Sequence, residues 1–343
     1  MTNRPSIADL ARAAGVSAAT VDRVLNSRHP VRASTAQRVY EAATAIGFHA
    51  APLIRARMAP DVPEFTLGIL LQKPEQAFYQ DFRRALEAAA QAVTTARLRL
   101  IIDFLPNQNP GEIVEKLIST GTRAQAVAVT SIDHPRITEA VAQLRAKGVP
   151  VFSLLSDFAQ GIRHGYVGVN NLRVGRTAAW MIARNLPAAA EIGLFVGGHR
   201  WHGHELRETG FRSFFREAAP QARVLDAMVN LDTPELAYEA TLDLMARRPA
   251  LAGIYCAGGG MEGTIKAIRE EGMGRAIALV VNELTEESRL ALADGIASLV
   301  IATPIRRLAA ELMAMMRAAI KDGPAETPGQ VFLPMDLHLP ESL

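Results

Sequence analysis

From Phe65 onward the chain alternates between two kinds of pattern. Apolar runs of strand length stand at Thr66–Leu71, Leu98–Phe104, Ala126–Val129, Val151–Leu155, Ile192–Val196, Gly253–Ala257, Ala276–Val281 and Ala297–Ile301. Between them lie helical patterns such as Phe82–Val93, Ile137–Ala146 and Leu206–Glu217. Parallel strands need a long crossover, usually a helix, so this alternation implies an α/β fold with a parallel sheet covered by helices on both faces. The roughly 280 residues involved exceed one compact core and suggest two such lobes. Ligands of open parallel sheets sit beyond the carboxyl ends of the strands. The polar residues expected there are Gln72, Asp133, Asp157, Asn170, Glu283 and Thr303, with Phe78 and Tyr79 after the first strand and Arg207 early in a helix. Charged forks for vicinal hydroxyls beside an aromatic ring suit a carbohydrate. Taken singly, each of these residues is also an ordinary loop or capping group, and Arg207 could pair with Glu205 or Glu208 at a surface.

Composition narrows the remaining classes. With 49% apolar and 21% charged residues the chain is not of the disordered type. No stretch approaches the ~18 consecutive apolar residues of a membrane helix. The start, Met1-Thr2-Asn3-Arg4-Pro5, has no apolar signal region, so a cytoplasmic protein is expected. One cysteine, Cys256, excludes an internal disulfide and a cysteine-rich zinc module. The net charge of +2 is uneven: residues 1–58 hold eight arginines against Asp9, Asp22 and Glu41, a surplus of +5 that leaves −3 for the rest. A basic head on a mildly acidic body fits contact with a polyanion, although a solvated helical surface would also carry it.

That head reads as three short helices. Ser6 can cap the first, with Asp9 at capping-box spacing, and Ile7, Leu10, Ala11 and Ala14 form one apolar face. Gly15 ends it, Val16 fills the turn, and Ser17 can cap a second helix that buries Val21, Val24 and Leu25. Two short helices joined by a glycine-containing turn make a helix-turn-helix unit. Ser34 with Gln37 opens a third helix, packed through Val39, Ala43 and Ile46 and stopped at Gly47.

Ile7-Ala8-Asp9-Leu10-Ala11, Gly15-Val16-Ser17, Thr20-Val21-Asp22-Arg23-Val24-Leu25-Asn26, Val31-Arg32, Thr35 and Ile46-Gly47-Phe48 together resemble the headpiece of the lactose-repressor (LacI) family of transcription factors. The resemblance implies that the second helix enters the major groove of operator DNA. Ala18, Ala19 and Arg23 are then the candidate base readers, and Ser6, Ser17, Thr20 and Asn26 are further DNA-binding positions. Alanines can touch a thymine methyl but carry no hydrogen-bond code, which makes Arg23, able to take a guanine bidentately, the expected specificity residue. Residues 49–63 resemble the family's hinge, whose short helix wedges an apolar side chain into the minor groove. Arg57 stands at the wedge position, with Leu53 or Met58 as substitutes in a shifted register.

The body, from 65 to 340, is similar to the periplasmic sugar-binding proteins found in such repressors. Tyr166-Val167-Gly168-Val169-Asn170-Asn171 with Gly175-Arg176, Arg207-Glu208-Thr209-Gly210-Phe211, and Glu283-Leu284-Thr285 with Asp294-Gly295 carry the similarity. It implies that Asn170, Arg207 and Glu283 touch a sugar effector. After the strand ending at Ala257 the family often has Asn-Asp, where this chain has Gly258-Gly259-Gly260.

Those glycines raise a rival. Gly258 to Gly263 fits G-x-G-x-x-G after a strand, and Glu283 lies 20 residues beyond Gly263, which is the pattern of a dinucleotide loop and hence of an NAD-dependent oxidoreductase. His199, His202 and His204 lack the spacing of metal ligands, so Trp201 in their midst is expected to cover a sugar ring instead. The expectation is therefore a homodimeric repressor rather than an enzyme, without metal or cofactor. Its partners are operator DNA and a small carbohydrate, with no membrane. Residues 1–48 form the headpiece, 49–63 the hinge, and 64–343 a two-lobed core, lobe 1 from 64–165 plus 296–327 and lobe 2 from 166–295 plus 328–343.

Overall fold

In the computed structural model the described residues are 5–26, 31–58, 62–184, 186–187, 189–274, 276–323 and 327–342, with the side chains of 56–58 excepted. The chain divides into two units after Pro63.

The first unit contains α1 (Ile7–Ala14), α2 (Ala18–Asn26), α3 (Ala33–Ala45) and α4 (Ala51–Met58). Ser6 and Asp9 form the expected reciprocal cap: Ser6 Oγ accepts from the Asp9 amide and the Asp9 carboxylate accepts from the Ser6 amide. Gly15 ends α1 in the left-handed conformation at φ 62°, where a Cβ would be disfavoured. Leu10, Ala11, Ala14, Val21, Val24, Leu25, Val39 and Ala43 close the core. Two details differ from expectation. Ile7 is 42% exposed, and α3 begins at Ala33 with Arg32 at its N-cap and no side-chain cap, so Ser34 does not open it. Within the expected hinge segment, α4 is anchored to this core by the fully buried Ile54, next to Phe48. Leu53 on the same helix is exposed; the side chains of Arg57 and Met58 lie outside the described ones.

The second unit holds β1 (Glu64–Gln72), α5 (Ala77–Ala92), β2 (Arg97–Leu105), α6 (Pro110–Gly121), β3 (Ala126–Val129), α7 (Pro135–Ala146), β4 (Val151–Leu154) and β5 (Gly165–Val169). It continues with α8 (Asn171–Ala183), β6 (Glu191–Val196), α9 (His202–Ala218), β7 (Arg223–Val224), β8 (Met228–Val229), α10 (Pro234–Arg247), β9 (Leu251–Cys256), α11 (Met261–Glu270), β10 (Ala278–Asn282) and α12 (Glu286–Ala293). The last elements are β11 (Ala297–Ala302), α13 (Ile305–Asp322), β12 (Gly329–Leu333) and β13 (Asp336–His338). Each apolar run expected to be a strand is one. They form two sheets, in the orders β12-β5-β4-β3-β1-β2 and β13-β11-β10-β9-β6-β7. Among the described residues every pairing is parallel except that of β13 with β11. Each sheet is packed on both faces. That double burial is why its strands read as unbroken apolar runs.

The lobe boundaries need correction. β11 pairs with β10 and belongs to the second sheet, while β12 pairs with β5 and belongs to the first. The chain therefore passes between the sheets at Asn170, at Thr303-Pro304 and at Pro334-Met335. A strand joins the sheet that can hydrogen-bond its edge, which the apolar pattern of one strand cannot announce.

Candidate functional site

The headpiece presents one polar surface. Val21, Val24 and Leu25 turn inward on α2, which leaves Ser17, Ala18, Ala19, Arg23 and Asn26 exposed. Ser17 caps α2 through Oγ, which accepts from the Thr20 amide at 3.2 Å and stands 2.9 Å from Thr20 Oγ1. Asp22 accepts from Asn26 Nδ2 at 2.6 Å, so it orients a residue expected to meet DNA. Arg23 is exposed and makes no hydrogen bond or ion pair to a described residue.

In the body, the carboxyl ends of both sheets face a cavity of about 110 Å³. Backbone close approach sets its central residue. Gly175 on α8 lies against the Arg207 carbonyl and Gly210 on α9 against the Leu172 carbonyl; a Cβ at either would collide with main chain. The two helices thereby bring Arg207 beside Asn171. The Arg207 side chain is buried and donates from Nε to Asn171 Oδ1 and from Nη1 to the Ala257 carbonyl, each at 2.7 Å. Nη2 has no partner among the described residues. The second asparagine of the Asn170-Asn171 pair thus makes the contact, while Asn170 caps α8 by accepting from the Arg173 amide.

Glu283 faces the same cavity, from a left-handed backbone at φ 69°. Its carboxylate is clamped at the second crossing between the lobes: Oε2 accepts from the Thr303 amide and Oε1 from Thr303 Oγ1, both at 2.8 Å. Burial raises its pKa above the usual carboxylate range, and the nearby Arg207 charge and the Thr303 bonds oppose that rise. Lys73, Leu155 and Asp232, which also line the cavity or border it, share positive φ values of 30°, 64° and 54°. Such backbone costs on the order of 1 kcal/mol or more per residue and gathers at ligand sites.

Three buried polar atoms in the wall have no partner among the described residues: Gln72 Oε1, Thr130 Oγ1 and Trp201 Nε1. Gln72 is fixed by donating from Nε2 to the Thr130 carbonyl at 2.7 Å, which points its orphaned oxygen away from that bond. Trp201 comes from the loop after β6 but packs among Leu70, Leu105, Ile132 and Phe158 of the first lobe. Buried polar groups are almost always satisfied, so these three atoms, on residues that line one cavity, are open to a further hydrogen-bonding partner. Lys73 Nζ donates to the carbonyls of Leu231 (2.6 Å) and Asp232 (3.1 Å), and Gln76 Nε2 to that of Asp232 (2.9 Å), which join the two lobes across the cleft. His204 Nδ1 accepts from the Gly197 amide at 3.2 Å, and burial depresses its pKa to about 4, so it is neutral with its proton on Nε2. Burial first, then the Asp232 and Glu283 charges, raise the Tyr79 phenol, which stays protonated.

Of the residues expected at the effector site, the cavity brings together Gln72, Phe78, Tyr79, Trp201, Arg207 and Glu283. It does not include the others. Asp157 is sealed in a bidentate pair with Arg163 (2.5 and 2.6 Å), with Ser153 and Gln330 on the same carboxylate, and serves to bind β12 to the first sheet. Asp133 is exposed and accepts from the Ala159 amide. Thr303 acts on Glu283 rather than on the cavity. Polar residues of the lining missed from the sequence are Lys73, Gln76, Thr130, Ser156, His204, Asp232, Glu262, Asn282 and Thr285, with Asn171 behind them holding Arg207. His204 lies three residues before Arg207 on one helix face, a spacing that would have found it; Asp232, in an irregular loop, carries no pattern at all.

The dinucleotide reading of Gly258–Gly263 is overturned. A Cβ on Gly258 would lie 2.5 Å from Asp232 Oδ1 and 2.7 Å from His204 Cε1, and the Gly259 amide donates to Asp232 Oδ1 at 2.7 Å. The loop amide that a phosphate would need is thus taken by a carboxylate, and Gly263 serves the contact of α11 with the Pro234 carbonyl. Among the described residues, no cluster of three or more His, Cys, Asp or Glu could hold a metal ion, and no helix is long and apolar enough to cross a membrane.

Comparison with known proteins agrees with this architecture. The periplasmic binding protein domain matches residues 67–324, and the model described as bacterial regulatory proteins, lacI family, matches residues 6–50. The chain is similar to the HTH-type transcriptional regulator GalS of Salmonella typhimurium (24% identical over 279 residues, 80% of this chain and 78% of that protein). It is also similar to the HTH-type transcriptional regulator GntR of Pseudomonas aeruginosa (27% over 261 residues, 74% and 71%). In fold it resembles GanP, a glucose-galactose binding protein from Geobacillus stearothermophilus (TM-score 0.73, 14% identity, 82% of this chain and 99% of that one). A periplasmic solute binding protein of Actinobacillus succinogenes with bound D-allose is comparably close (TM-score 0.70, 19% identity, 81% and 98%). The relatives are transcriptional regulators, not oxidoreductases. A helix-turn-helix headpiece with an exposed arginine on its second helix, followed by two parallel-sheet lobes around a polar cavity, makes this chain a member of the lacI family of bacterial regulatory proteins with a periplasmic-binding-protein domain.

Proposed function

We propose that the protein is a repressor that binds a near-palindromic operator as a homodimer, one headpiece to each half-site, and that a small carbohydrate in the interlobe cavity releases it. The observation that carries the effector half is the set of orphaned buried atoms, Gln72 Oε1, Thr130 Oγ1 and Trp201 Nε1, beside the free Nη2 of Arg207. A sugar hydroxyl both donates and accepts, so a polyol ring can satisfy all of them. Gln72, Phe78, Tyr79, Trp201, Arg207 and Glu283 are the effector contacts in this reading, and Thr303 holds Glu283 in place. The bound sugars of structural neighbours, D-allose among them, support the ligand class. On the DNA side, Arg23 reads a guanine, Ala18 and Ala19 meet thymine methyls, and Ser17, Thr20 and Asn26 approach phosphates. Ser6, tied into its capping box, contributes by fixing the start of α1. From α4, Arg57 and the exposed Leu53 are the side chains for the minor groove.

Selection of bound duplexes from a random pool by the full chain is the test, repeated with a panel of neutral mono- and disaccharides. The expected product is an inverted repeat that the chain releases when one sugar is added, and that a chain lacking residues 1–63 does not retain. An unrepeated site, or an inverted repeat that no sugar affects, refutes the dimeric or the effector half respectively.

A further inference from the structure

Asp232 brings a carboxylate to this cavity from an irregular loop. It sits in the loop between β8 and α10, where Asn230 shapes the chain: Asn230 Oδ1 accepts from the Asp232 amide (2.9 Å), and Nδ2 donates to the Gly259 carbonyl (2.8 Å). The carboxylate enters a space left by glycines of two other loops. A Cβ at Gly197 or Gly258 would collide with it, and one at Gly259 would stand 2.9 Å from its own Cβ. The space over Gly258 and Gly259 is thus filled, from a different loop, by one carboxylate. Its Oδ1 is used by the Gly259 amide, while Oδ2 has no hydrogen-bond partner among the described residues and the side chain lines the cavity.

The surrounding groups give that oxygen a meaning. Glu262 and Glu283 line the same cavity, against the two cations Lys73 and Arg207. Lys73 already donates to two carbonyls, and Arg207 has two of its three nitrogens engaged. Among the uncommitted atoms of described residues, Asp232 Oδ2 and Gln72 Oε1 only accept, Trp201 Nε1 and Arg207 Nη2 only donate, and Thr130 Oγ1 does either, a set that hydroxyls, which donate and accept at one atom, can complete. A carboxylate on the ligand can only accept, and a carboxylate or phosphate seated at Asp232 Oδ2 would meet a like charge.

We propose that the effector is an uncharged sugar and that Asp232 is the specificity residue that takes its hydroxyls and excludes sugar acids and sugar phosphates. This rests on the carbohydrate reading above and narrows it. The test is calorimetry on the full chain with matched probes: D-glucose, D-glucuronate and glucose 6-phosphate, then D-galactose, D-galacturonate and galactose 6-phosphate. At least one neutral sugar should bind ten or more times tighter than its own uronate and phosphate. Asp232→Asn keeps an Oδ1 acceptor for the Gly259 amide and so keeps the loop. It should weaken the neutral sugar at least tenfold and shrink the neutral-to-acid ratio at least tenfold, with an unchanged melting temperature in the absence of sugar. An anionic probe bound as tightly as its neutral parent overturns the proposal and leaves the carbohydrate reading standing, as does an undiminished ratio in Asp232→Asn. Binding of none of the six probes overturns both. If Asp232→Asn does not fold, the wild-type ratios decide alone.

Discussion

Arg207→Ala tests whether the cavity is held together by the residue expected to bind the ligand. Arg207 is 8% exposed and makes two hydrogen bonds of 2.7 Å, to Asn171 and to the Ala257 carbonyl. Charged hydrogen bonds contribute about 1.5–3 kcal/mol each, and stripping one partner from a buried charged network costs about 3–5 kcal/mol. The truncation leaves Asn171 and Ala257 unsatisfied and Glu283 buried without its nearby cation, so a loss of about 3–5 kcal/mol in the body is expected. Both tryptophans, Trp180 and Trp201, lie in the body, so their fluorescence during urea denaturation reads that unit by itself. The loss should also depend on pH. Burial already raises the Glu283 pKa and Arg207 opposes that, so the variant's Glu283 titrates higher still. A carboxyl whose folded pKa lies above its unfolded value penalises the fold at high pH, and the penalty vanishes as pH falls through the folded value. The gap between wild type and variant should narrow from pH 8 towards pH 5. A loss below about 1 kcal/mol, or a gap that pH leaves constant, refutes the reasoning.

Arg23→Ala should weaken binding to the selected operator by about 1–3 kcal/mol in a band-shift titration, with headpiece stability unchanged because Arg23 has no described partner to lose. Gly258→Ala, whose Cβ would stand 2.5 Å from Asp232 Oδ1, should cost about 1–3 kcal/mol in urea denaturation and abolish sugar binding; a neutral outcome would mean that the loop gives way freely. His204 has a folded pKa of about 4 against an ordinary 6.5, so the unfolded chain binds the extra proton first and stability falls as pH drops from 6.5 towards 4, by on the order of 3 kcal/mol. His204→Asn, which keeps an acceptor for the Gly197 amide, should lose that part of the acid slope between pH 7 and 4.5; an unaltered slope would show that the imidazole is not sealed from solvent.

Periodicity and turn chemistry are local, and what depends on them was legible in the sequence. The Ser6–Asp9 cap, the Gly15 turn, the inward face of α2 and the eight strand-length apolar runs follow from the residues themselves. So does the placing of Gln72 and Glu283 at strand ends, because strand ends in a parallel sheet share one edge, while Tyr79 stands in the first turn of α5. Which strand joins which sheet was not legible, since β5, β11 and β12 change lobes through single-residue or two-residue crossings that leave no mark in hydropathy. The site was decided in the same way. Asp157 looked like Asp232 in type, but one was claimed by Arg163 across 6 residues and the other was seated by glycines at 197, 258 and 259. A carboxylate is a ligand group or a structural tie according to what folds against it, and those neighbours come from distant parts of the chain. The sequence alone determined the classes of element and the family resemblance; tertiary packing alone decided which polar atoms were left without a partner, because satisfaction is a property of three-dimensional neighbours and not of residue type.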